Sequence, residues 1–320
     1  MTPLELVKSL LAHTTDTIAV TGATGWFGAT TLDLLYDALG ADAPSRVRAY
    51  ASSSRSVVVR DGRTVPVRPL TNLLEANWSP DILLHFAYVT RDKVAELGVP
   101  EYIATNVAIS TTVLEAVARS RPHQIVMASS GAVYGPGRGR EHDVIGNPYG
   151  ALKGLDELAF RAAADEVGAS CVIPRVFAVA GPRMTKPEKY ALGSMIGMAR
   201  AGGPVIVRAD HRVVRSYCGV DEVVAMSLWA ASRGGHAVFD TGGEIVEVGQ
   251  LAAVVARDIG RGCAVERPAL VSHAPEDRYL GETTAMLSIA ERSGVRLRSL
   301  AQLVAATAGV PESMDGTVQR

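Results

Sequence analysis

Short runs of apolar residues alternate with longer stretches of helical periodicity along the first 180 residues of the chain. The apolar runs predict buried strands at 17–21, 46–51, 64–67, 81–87, 124–129 and 170–176. The longer stretches predict helices at 25–39, 101–119 and 149–167. This alternation of strand and helix indicates an α/β fold, in which a parallel sheet carries helices on both of its faces.

A glycine-rich run joins the first predicted strand to the first predicted helix. It reads Thr21-Gly22-Ala23-Thr24-Gly25-Trp26-Phe27-Gly28 and follows the apolar residues 17–20. In this arrangement the N–H groups at the start of the helix can hold a dinucleotide pyrophosphate, and the glycines permit a tight turn and close approach of the ligand. An ordinary turn is the alternative, but the strand before the run and the helix after it favour dinucleotide binding.

A tyrosine and a lysine four residues apart add a candidate for chemistry. Tyr149 and Lys153 stand at the start of a predicted helix, where this spacing places both side chains on one face. The apolar run 124–128 ends in Ser129-Ser130, nearly twenty residues earlier. Ser130, Tyr149 and Lys153 are therefore predicted to converge at the carboxyl end of the sheet, where open α/β sheets bind ligands.

Composition limits the classes of partner. The formal net charge of −1 over 320 residues leaves no basic footprint for nucleic acid, and no apolar run has the roughly 18 residues that span a bilayer. Cys171, Cys218 and Cys263 are too far apart for a CxxC pair, which indicates a reduced, cytoplasmic protein. The seven histidines are dispersed and no HExxH occurs, so no metal is predicted.

These motifs together resemble the extended short-chain dehydrogenase/reductase family, of the nucleotide-sugar epimerase/dehydratase type. The resemblance runs in the family's order from residue 17 to about 245. Its landmarks are Thr21 to Gly28, His85-Phe86-Ala87, Asn106, Ser129 to Gly135, Tyr149 with Lys153, Pro174 to Phe177, and Arg215 to Val223.

The resemblance implies a Rossmann-type doubly wound parallel sheet with a smaller C-terminal substrate-binding lobe. Residues 1–180 would form the dinucleotide-binding domain, with 212–245 returning to it, and 181–320 would form mainly the substrate-binding lobe. The regular alternation of strand and helix does break down after Gly181-Pro182.

The resemblance also supplies catalytic roles. Tyr149 would be the general acid/base, because a nearby ammonium and an oxidised nicotinamide both favour its phenolate. Lys153 would bind the nicotinamide ribose, and Ser130 would hold the substrate oxygen in line with Tyr149. Hydride would move to or from the nicotinamide while Tyr149 moves the proton.

Further binding residues follow from the same resemblance. Asn106 would tether a strand, or alternatively cap a helical turn, and Arg215 would contact substrate phosphate or form a structural ion pair. Ala178 stands where the family commonly has a substrate-binding asparagine. The predicted cofactor contacts are Gly22, Gly25, Trp26, Phe27, Gly28, Ser52, Ser53, Arg55, Ala87, Asn106, Tyr149, Lys153, Val176 and Phe177; the predicted substrate contacts are Ser130, Tyr149, Ala178 and Arg215.

The end of the second strand bears on the choice between NAD and NADP. Residues 49–55 read Ala-Tyr-Ala-Ser-Ser-Ser-Arg and contain no acidic residue to accept hydrogen bonds from the adenosine ribose. The hydroxyls of Ser52 and Ser53 and the guanidinium of Arg55 suit a 2′-phosphate instead. The sequence therefore favours NADP over NAD, although Arg55 as a solvated loop residue stays the alternative.

Three functions remain open on the sequence. Gly131-Ala132 replaces the Asp-Glu pair of the family's dehydratases, which points away from dehydration and towards an epimerase that acts on a nucleotide-activated sugar through a transient keto intermediate. An NADP-dependent reductase of a keto-sugar or related carbonyl is the second hypothesis. A non-catalytic dinucleotide-binding regulator is the third. A homodimer is expected, in which helices 101–119 and 149–167 pair across the two-fold axis as they do in the family.

Overall fold

The computed structural model describes residues 1–271 and 273–310, which form fifteen strands and eleven α-helices. The strands are β1 Ile18–Thr21, β2 Val47–Ala51, β3 Arg55–Val58, β4 Thr64–Pro69, β5 Ile82–His85, β6 Gln124–Met127, β7 Ser129–Ser130, β8 Ser170–Val176, β9 Ala178–Ala180, β10 Val205–Ile206, β11 Val213–Gly219, β12 His236–Asp240, β13 Glu244–Glu247, β14 Val265–Glu266 and β15 Asp277–Tyr279.

The described residues contain eleven α-helices, three of which the sequence analysis predicts. They are α1 Pro3–Leu11, α2 Trp26–Leu39, α3 Ala43–Arg46, α4 Val94–Leu97, α5 Val99–Ser120, α6 Pro148–Val167, α7 Ala191–Arg200, α8 Val220–Ser232, α9 Val248–Asp258, α10 Thr284–Ser293 and α11 Leu300–Ala308. The predicted helices at 25–39, 101–119 and 149–167 correspond to α2, α5 and α6.

Two compact units make up the described chain. The first consists of Met1–Phe177, Asp221–Thr241 and Gly281–Arg296, and the second of Ala178–Val220, Gly242–Leu280 and the residues from Leu297 onwards. The functional division predicted from the sequence, into a dinucleotide-binding and a substrate-binding part, is a separate statement and stays a prediction. Residues 272 and 311–320 of the predicted second part lie outside the described residues.

A nine-stranded sheet, counted over the described residues, organises the first unit. Its order is β12-β8-β6-β5-β1-β2-β4-β3, with β7 also pairing β8. All these pairs are parallel except the β3–β4 hairpin. The chain runs outward from β1 in one direction and restarts at β5 in the other, so the switch point of a doubly wound sheet lies between β1 and β5. This topology confirms the predicted Rossmann-type α/β fold.

Apolar residues of the strands and helices account for this sheet. The four residues of β1 and the four of β5 are all buried, as expected for strands covered on both faces. On one face, Val113 and Val117 of α5 and Phe160 of α6 pack with Ile125 of β6 in one apolar cluster. Burying such side chains stabilises the unit by about 1.5–3 kcal/mol each.

The second unit has its own sheet and core. In it β11 pairs β13 on one side in antiparallel fashion and pairs β9 and β15 in parallel fashion. A separate pair joins β10 and β14. Helices α7, α9 and α11 cover an apolar cluster that includes Ile196, Leu251 and Leu303. Over the described residues, no helix is both long and apolar enough to cross a membrane.

Candidate active site at the carboxyl ends of the parallel strands

The glycine-rich turn after β1 has room only for glycine at two positions. Gly22 has φ +67°, and a Cβ there would lie 2.5 Å from the carbonyl carbon of Phe86. A Cβ on Gly28 would lie 2.2 Å from the carbonyl oxygen of Gly22, so α2 packs directly against the turn. Gly25 caps α2 in extended conformation. The first N–H groups of α2 therefore stand at the switch point of the sheet, as a pyrophosphate site requires.

Thr21, the last residue of β1, ties the turn to the segment that follows β5. Its Oγ1 accepts hydrogen bonds from the N–H groups of Phe86 (3.2 Å) and Ala87 (3.3 Å) and lies 2.7 Å from Nδ1 of His85. His85 is fully buried and stacks on Phe160 with ring centroids 4.9 Å apart. Burial, with a smaller contribution from Lys153, lowers the pKa of His85 to about 3, so the imidazole is neutral.

Asn106 of α5 fixes the same segment from the other side. Its Oδ1 accepts from the N–H of Val89 at 2.8 Å, and its Nδ2 donates to the carbonyl of Val89 at 3.3 Å. The hydroxyl of Tyr102 donates to that carbonyl as well, at 2.8 Å. Of the two sequence-based interpretations of Asn106, the contacts match a tether of the chain after β5, and they place Ala87 between two anchored points.

Ser130, Tyr149 and Lys153 all belong to the junction of β7 with the start of α6. Ser130 ends β7, and its Oγ accepts from the N–H of Ala132 at 3.2 Å. Tyr149 occupies the first turn of α6 and Lys153 the next. A Cβ on Gly150 would lie 2.1 Å from the carbonyl oxygen of Ala132, which shows how closely this first turn packs on the chain after Ser130.

The ammonium of Lys153 is buried between backbone and ring. Its Nζ donates to the carbonyl of Ala128 at 2.8 Å and lies 3.6 Å from the centroid of the Tyr88 ring. The Tyr149 ring meets the same Tyr88 ring edge-on, with centroids 5.7 Å apart. Burial lowers the pKa of Lys153 to about 8, against the attraction of the carboxylates of Asp156 and Glu157. Tyr88 was not predicted from the sequence.

A buried carboxylate behind the site joins α6 to β7, to β8 and to the loop before α6. Glu157 of α6 accepts from both Nε and Nη2 of Arg175 on β8, at 2.8 and 2.7 Å. It also accepts from Ser129 Oγ and from Arg140, each at 2.6 Å. Burial raises the pKa of Glu157, but these hydrogen bonds outweigh it and hold the pKa below its ordinary value. Arg140 thereby anchors the loop 135–147, which separates Ser130 from Tyr149 in sequence.

The matching family model is that of the NAD-dependent epimerase/dehydratase family, which aligns with residues 18–249. That range covers well over half of the 320 residues. The chain belongs to the NAD-dependent epimerase/dehydratase family. Its members are enzymes that use a nicotinamide dinucleotide, and the glycine turn described above lies inside the matched range.

Solved epimerase structures share the fold of this family member. A UDP-glucose 4-epimerase from Thermotoga maritima, solved with UDP-glucose, has a TM-score of 0.70 at 20% identity over 92% of this chain and 97% of that one. A UDP-glucose 4-epimerase from Brucella ovis, solved with NAD, has a TM-score of 0.69 at 20% identity, over 92% of this chain and 98% of that one. An epimerase from Methanothermobacter thermautotrophicus has a TM-score of 0.72 at 16% identity, over 96% of this chain and 94% of that one. No curated protein matches the sequence.

The predicted phosphate-binding residues of this epimerase/dehydratase family member lie on the surface. Ser52 and Ser53 follow β2 and are exposed. Arg55 is also exposed, and its Nη2 donates to Ser53 Oγ at 2.7 Å. Arg55 begins β3, a hairpin strand that the sequence analysis did not predict, and its side chain is exposed there.

Val176 and Phe177 close the first unit at the end of β8. Both are partly buried, and the N–H of Phe177 donates to Thr241 Oγ1 at 3.0 Å. The Phe177 ring lies 6.3 Å from that of Tyr134, whose hydroxyl hydrogen-bonds the buried carboxylate of Asp240 at 2.9 Å. These contacts fix the backbone at the carboxyl end of β8.

Two predicted substrate residues belong to the second unit. Ala178 begins β9 and pairs with Tyr217 of β11. Arg215 of β11 donates to the carboxylate of Asp277 at 2.8 and 3.2 Å and to two backbone carbonyls. These hydrogen bonds hold the pKa of Asp277 below its ordinary value. The contacts match the structural ion pair that the sequence left open for Arg215.

Proposed function

We propose that this enzyme is an epimerase that acts on a nucleotide-activated sugar through a transient keto intermediate, with a nicotinamide dinucleotide retained in the site. The observation that carries the proposal is the close packing of the first turn of α6 on the chain after Ser130, at the same edge of the sheet as the glycine turn. Solved epimerases that share the fold include one with UDP-glucose and one with NAD. The predicted contacts of Ala178 and Arg215 with the substrate stay predictions.

The glycine turn and Lys153 are suited to hold a nicotinamide dinucleotide. Gly22, Gly25 and Gly28, with Trp26 and Phe27 in the first turn of α2, would hold the pyrophosphate. An ammonium has three N–H donors. Lys153 donates one to the carbonyl of Ala128 and lies over the Tyr88 ring, and a remaining N–H would bind the nicotinamide ribose. When bound, the nicotinamide accepts and returns hydride.

Side chains of the protein would transfer the proton. Tyr149 would remove the proton of the substrate hydroxyl and later return it, and the positive charge of Lys153 would lower the pKa of Tyr149 for this purpose. Ser130 Oγ would orient the substrate oxygen towards Tyr149. For epimerisation, the keto intermediate must then rotate in the site so that hydride returns to its opposite face.

The form of the dinucleotide separates the epimerase from the reductase. An epimerase regenerates its cofactor in every cycle, which suits retained NAD. A reductase consumes NADPH, which suits the exposed Ser52, Ser53 and Arg55. Native mass spectrometry of the purified protein, followed by titration with NAD and NADP, is the deciding measurement. We expect co-purified NAD and interconversion of a UDP-sugar without net cofactor consumption.

The other outcomes of this measurement are equally informative. A protein free of dinucleotide that binds NADP much more tightly than NAD, and oxidises NADPH with a keto-sugar, would establish the reductase. Tight dinucleotide binding without turnover of any UDP-sugar or keto-sugar would favour the regulator. Either result contradicts the epimerase proposal.

A homodimer is part of the proposal because α5 and α6 expose apolar residues. Leu155 and Leu158 on α6 are 54% and 67% exposed, and Val107 on α5 is 42% exposed. Ala104 and Ala108 are also exposed on α5. They belong to the same face as Val107, because Ala104 lies three residues before Val107 and four before Ala108. Two such helices from each subunit would bury these side chains in a four-helix bundle across a two-fold axis.

We expect Leu158→Glu to convert the dimer into a monomer, because a carboxylate would be buried at the interface without a partner. Size-exclusion chromatography with light scattering measures the change. Leu287→Glu is the matched control, since Leu287 is an exposed leucine on another helix, α10, and is 50% exposed. A wild-type protein that is monomeric at micromolar concentration would refute the dimer.

A further inference from the structure

Two buried polar side chains beside Lys153 have no part in the proposed chemistry. Tyr88 lies in the segment after β5, and Asp156 lies on α6 three residues after Lys153. The Oδ1 atom of Asp156 accepts a hydrogen bond of 2.7 Å from Ser110 on α5. Among the described residues, neither the hydroxyl of Tyr88 nor Oδ2 of Asp156 has a hydrogen-bond partner, although both atoms are buried.

Such groups lower the stability of the folded protein, so their presence calls for a functional explanation. A buried carboxylate with one unsatisfied oxygen and a buried phenol hydroxyl without a partner both lose hydration that nothing replaces. The electronegative face of the Tyr88 ring meets the ammonium of Lys153 at 3.6 Å, a geometry that favours the cation. Asp156 stands one helical turn from Lys153, on the same side of α6. Burial raises the pKa of Asp156, whereas Lys153 and the hydrogen bond from Ser110 lower it, so the ammonium and the carboxylate favour each other's charged form.

Asp156 is the carboxylate best placed to act on the charge of Lys153. Burial lowers the pKa of Lys153, and Asp156 is the foremost group that opposes this effect, followed by Glu157. Glu157, however, is already paired with Arg175 and Arg140. Other titratable groups around this cluster, within the described residues, include neutral His85 and Tyr149 on the same helix. Tyr102 of α5 interacts with Tyr88 and Tyr149.

We propose that Tyr88 and Asp156 are positioning residues, which together keep the buried Lys153 an ammonium and hold it against Ala128. The ring supplies the face that contacts the cation, and the carboxylate supplies the balancing charge. The consequence for Tyr149 rests on the proposed function, because a charged Lys153 is what makes the phenolate accessible near neutral pH. The charge of Lys153 itself can be measured without any substrate.

Lysine NMR tests the proposal directly. The chain has five lysines, Lys8, Lys93, Lys153, Lys186 and Lys189, so protein labelled with ¹³C at lysine Cε gives five signals. Lys153 is assigned by the signal that Lys153→Arg removes. In the wild-type protein we expect this signal to titrate near pH 8, well below the value of about 10.4 for lysine in model peptides.

Variants separate the two contributions. Asp156→Asn retains an acceptor for Ser110 but removes the charge, and should lower the Lys153 midpoint by about one pH unit or more. Tyr88→Leu removes the ring and should lower the midpoint by about half a unit. Tyr88→Phe keeps the ring and should leave the midpoint unchanged. Asp165→Asn, at an exposed position of α6, is the control for an uninvolved charge.

The proposal is overturned if Asp156→Asn or Tyr88→Leu, folded by circular dichroism, titrates like the wild type. It is also overturned if Tyr88→Phe shifts the midpoint as far as Tyr88→Leu. Should Tyr88→Leu fail to fold, Tyr88→Met takes its place in the comparison. No cofactor or substrate enters this measurement, so a failure of the epimerase proposal shows in the turnover assays alone.

Discussion

Replacing Tyr149 by phenylalanine should reduce turnover of a UDP-sugar by about 10²–10⁴-fold, the usual contribution of a positioned acid/base. The substitution removes one hydroxyl and leaves the ring, so its edge-on contact with Tyr88 persists. The affinity for NAD should change little, because the glycine turn and Lys153 are untouched. Initial rates of epimerisation and calorimetric titration with NAD measure the two effects separately.

A second tyrosine provides the control for this substitution. Tyr36 is buried on α2, with the guanidinium of Arg63 4.7 Å from its ring centroid. Tyr36→Phe removes a hydroxyl of the same kind far from α6 in sequence and should leave turnover unchanged. Near-normal turnover in Tyr149→Phe would contradict the assignment of the acid/base, whatever the reaction proves to be.

Replacing Glu157 by glutamine should lower the free energy of unfolding by about 3 kcal/mol, which is typical when one partner of a buried ion pair loses its charge. Arg175 and Arg140 would both lose the carboxylate that they contact, and Arg175 has only 14% of its side chain exposed. Urea denaturation followed by circular dichroism measures the difference. Glu166→Gln, at an exposed position of the same helix, should change stability by less than about 0.5 kcal/mol.

The difference in stability between the wild type and Glu157→Gln should depend on pH. The pKa of Glu157 in the folded protein lies below the ordinary value of 4.5. Its stabilisation is therefore fully present above that value and is lost as the pH falls through the lowered pKa. The wild type and Glu157→Gln should thus converge in stability at acid pH. A difference that stays constant down to low pH would show that packing, rather than charge, causes the loss.

Much of the fold was accessible from sequence because its signals are local. The apolar runs of β1, β5 and β6 and the glycine turn each specify their conformation within a few residues. The hairpin strand β3, at Arg55–Val58, was missed because three of its four residues are exposed and no apolar alternation identifies it. Its pairing with β4 is set by the neighbouring strand and not by its own composition.

The candidate site was accessible only where a motif spans a few residues. Tyr149 and Lys153 share one helix face, so their spacing sufficed. Tyr88 reaches Lys153 from a segment without periodicity, and nothing in its local sequence indicates that contact. Glu157 and Arg175 are eighteen residues apart and meet only because β8 returns beside α6. Contacts of this kind depend on the tertiary fold and cannot be found from spacing.

Helix α6 carries a different task on each of its sides. One side carries Tyr149, Lys153 and Asp156. The buried Glu157 faces Arg175 on β8, and the outer side exposes Leu155 and Leu158. A helix used on every side has few positions where mutations are neutral. Random substitutions should therefore be tolerated less in α6 than in α10, and sequence drift among relatives of this enzyme should be slowest along this helix.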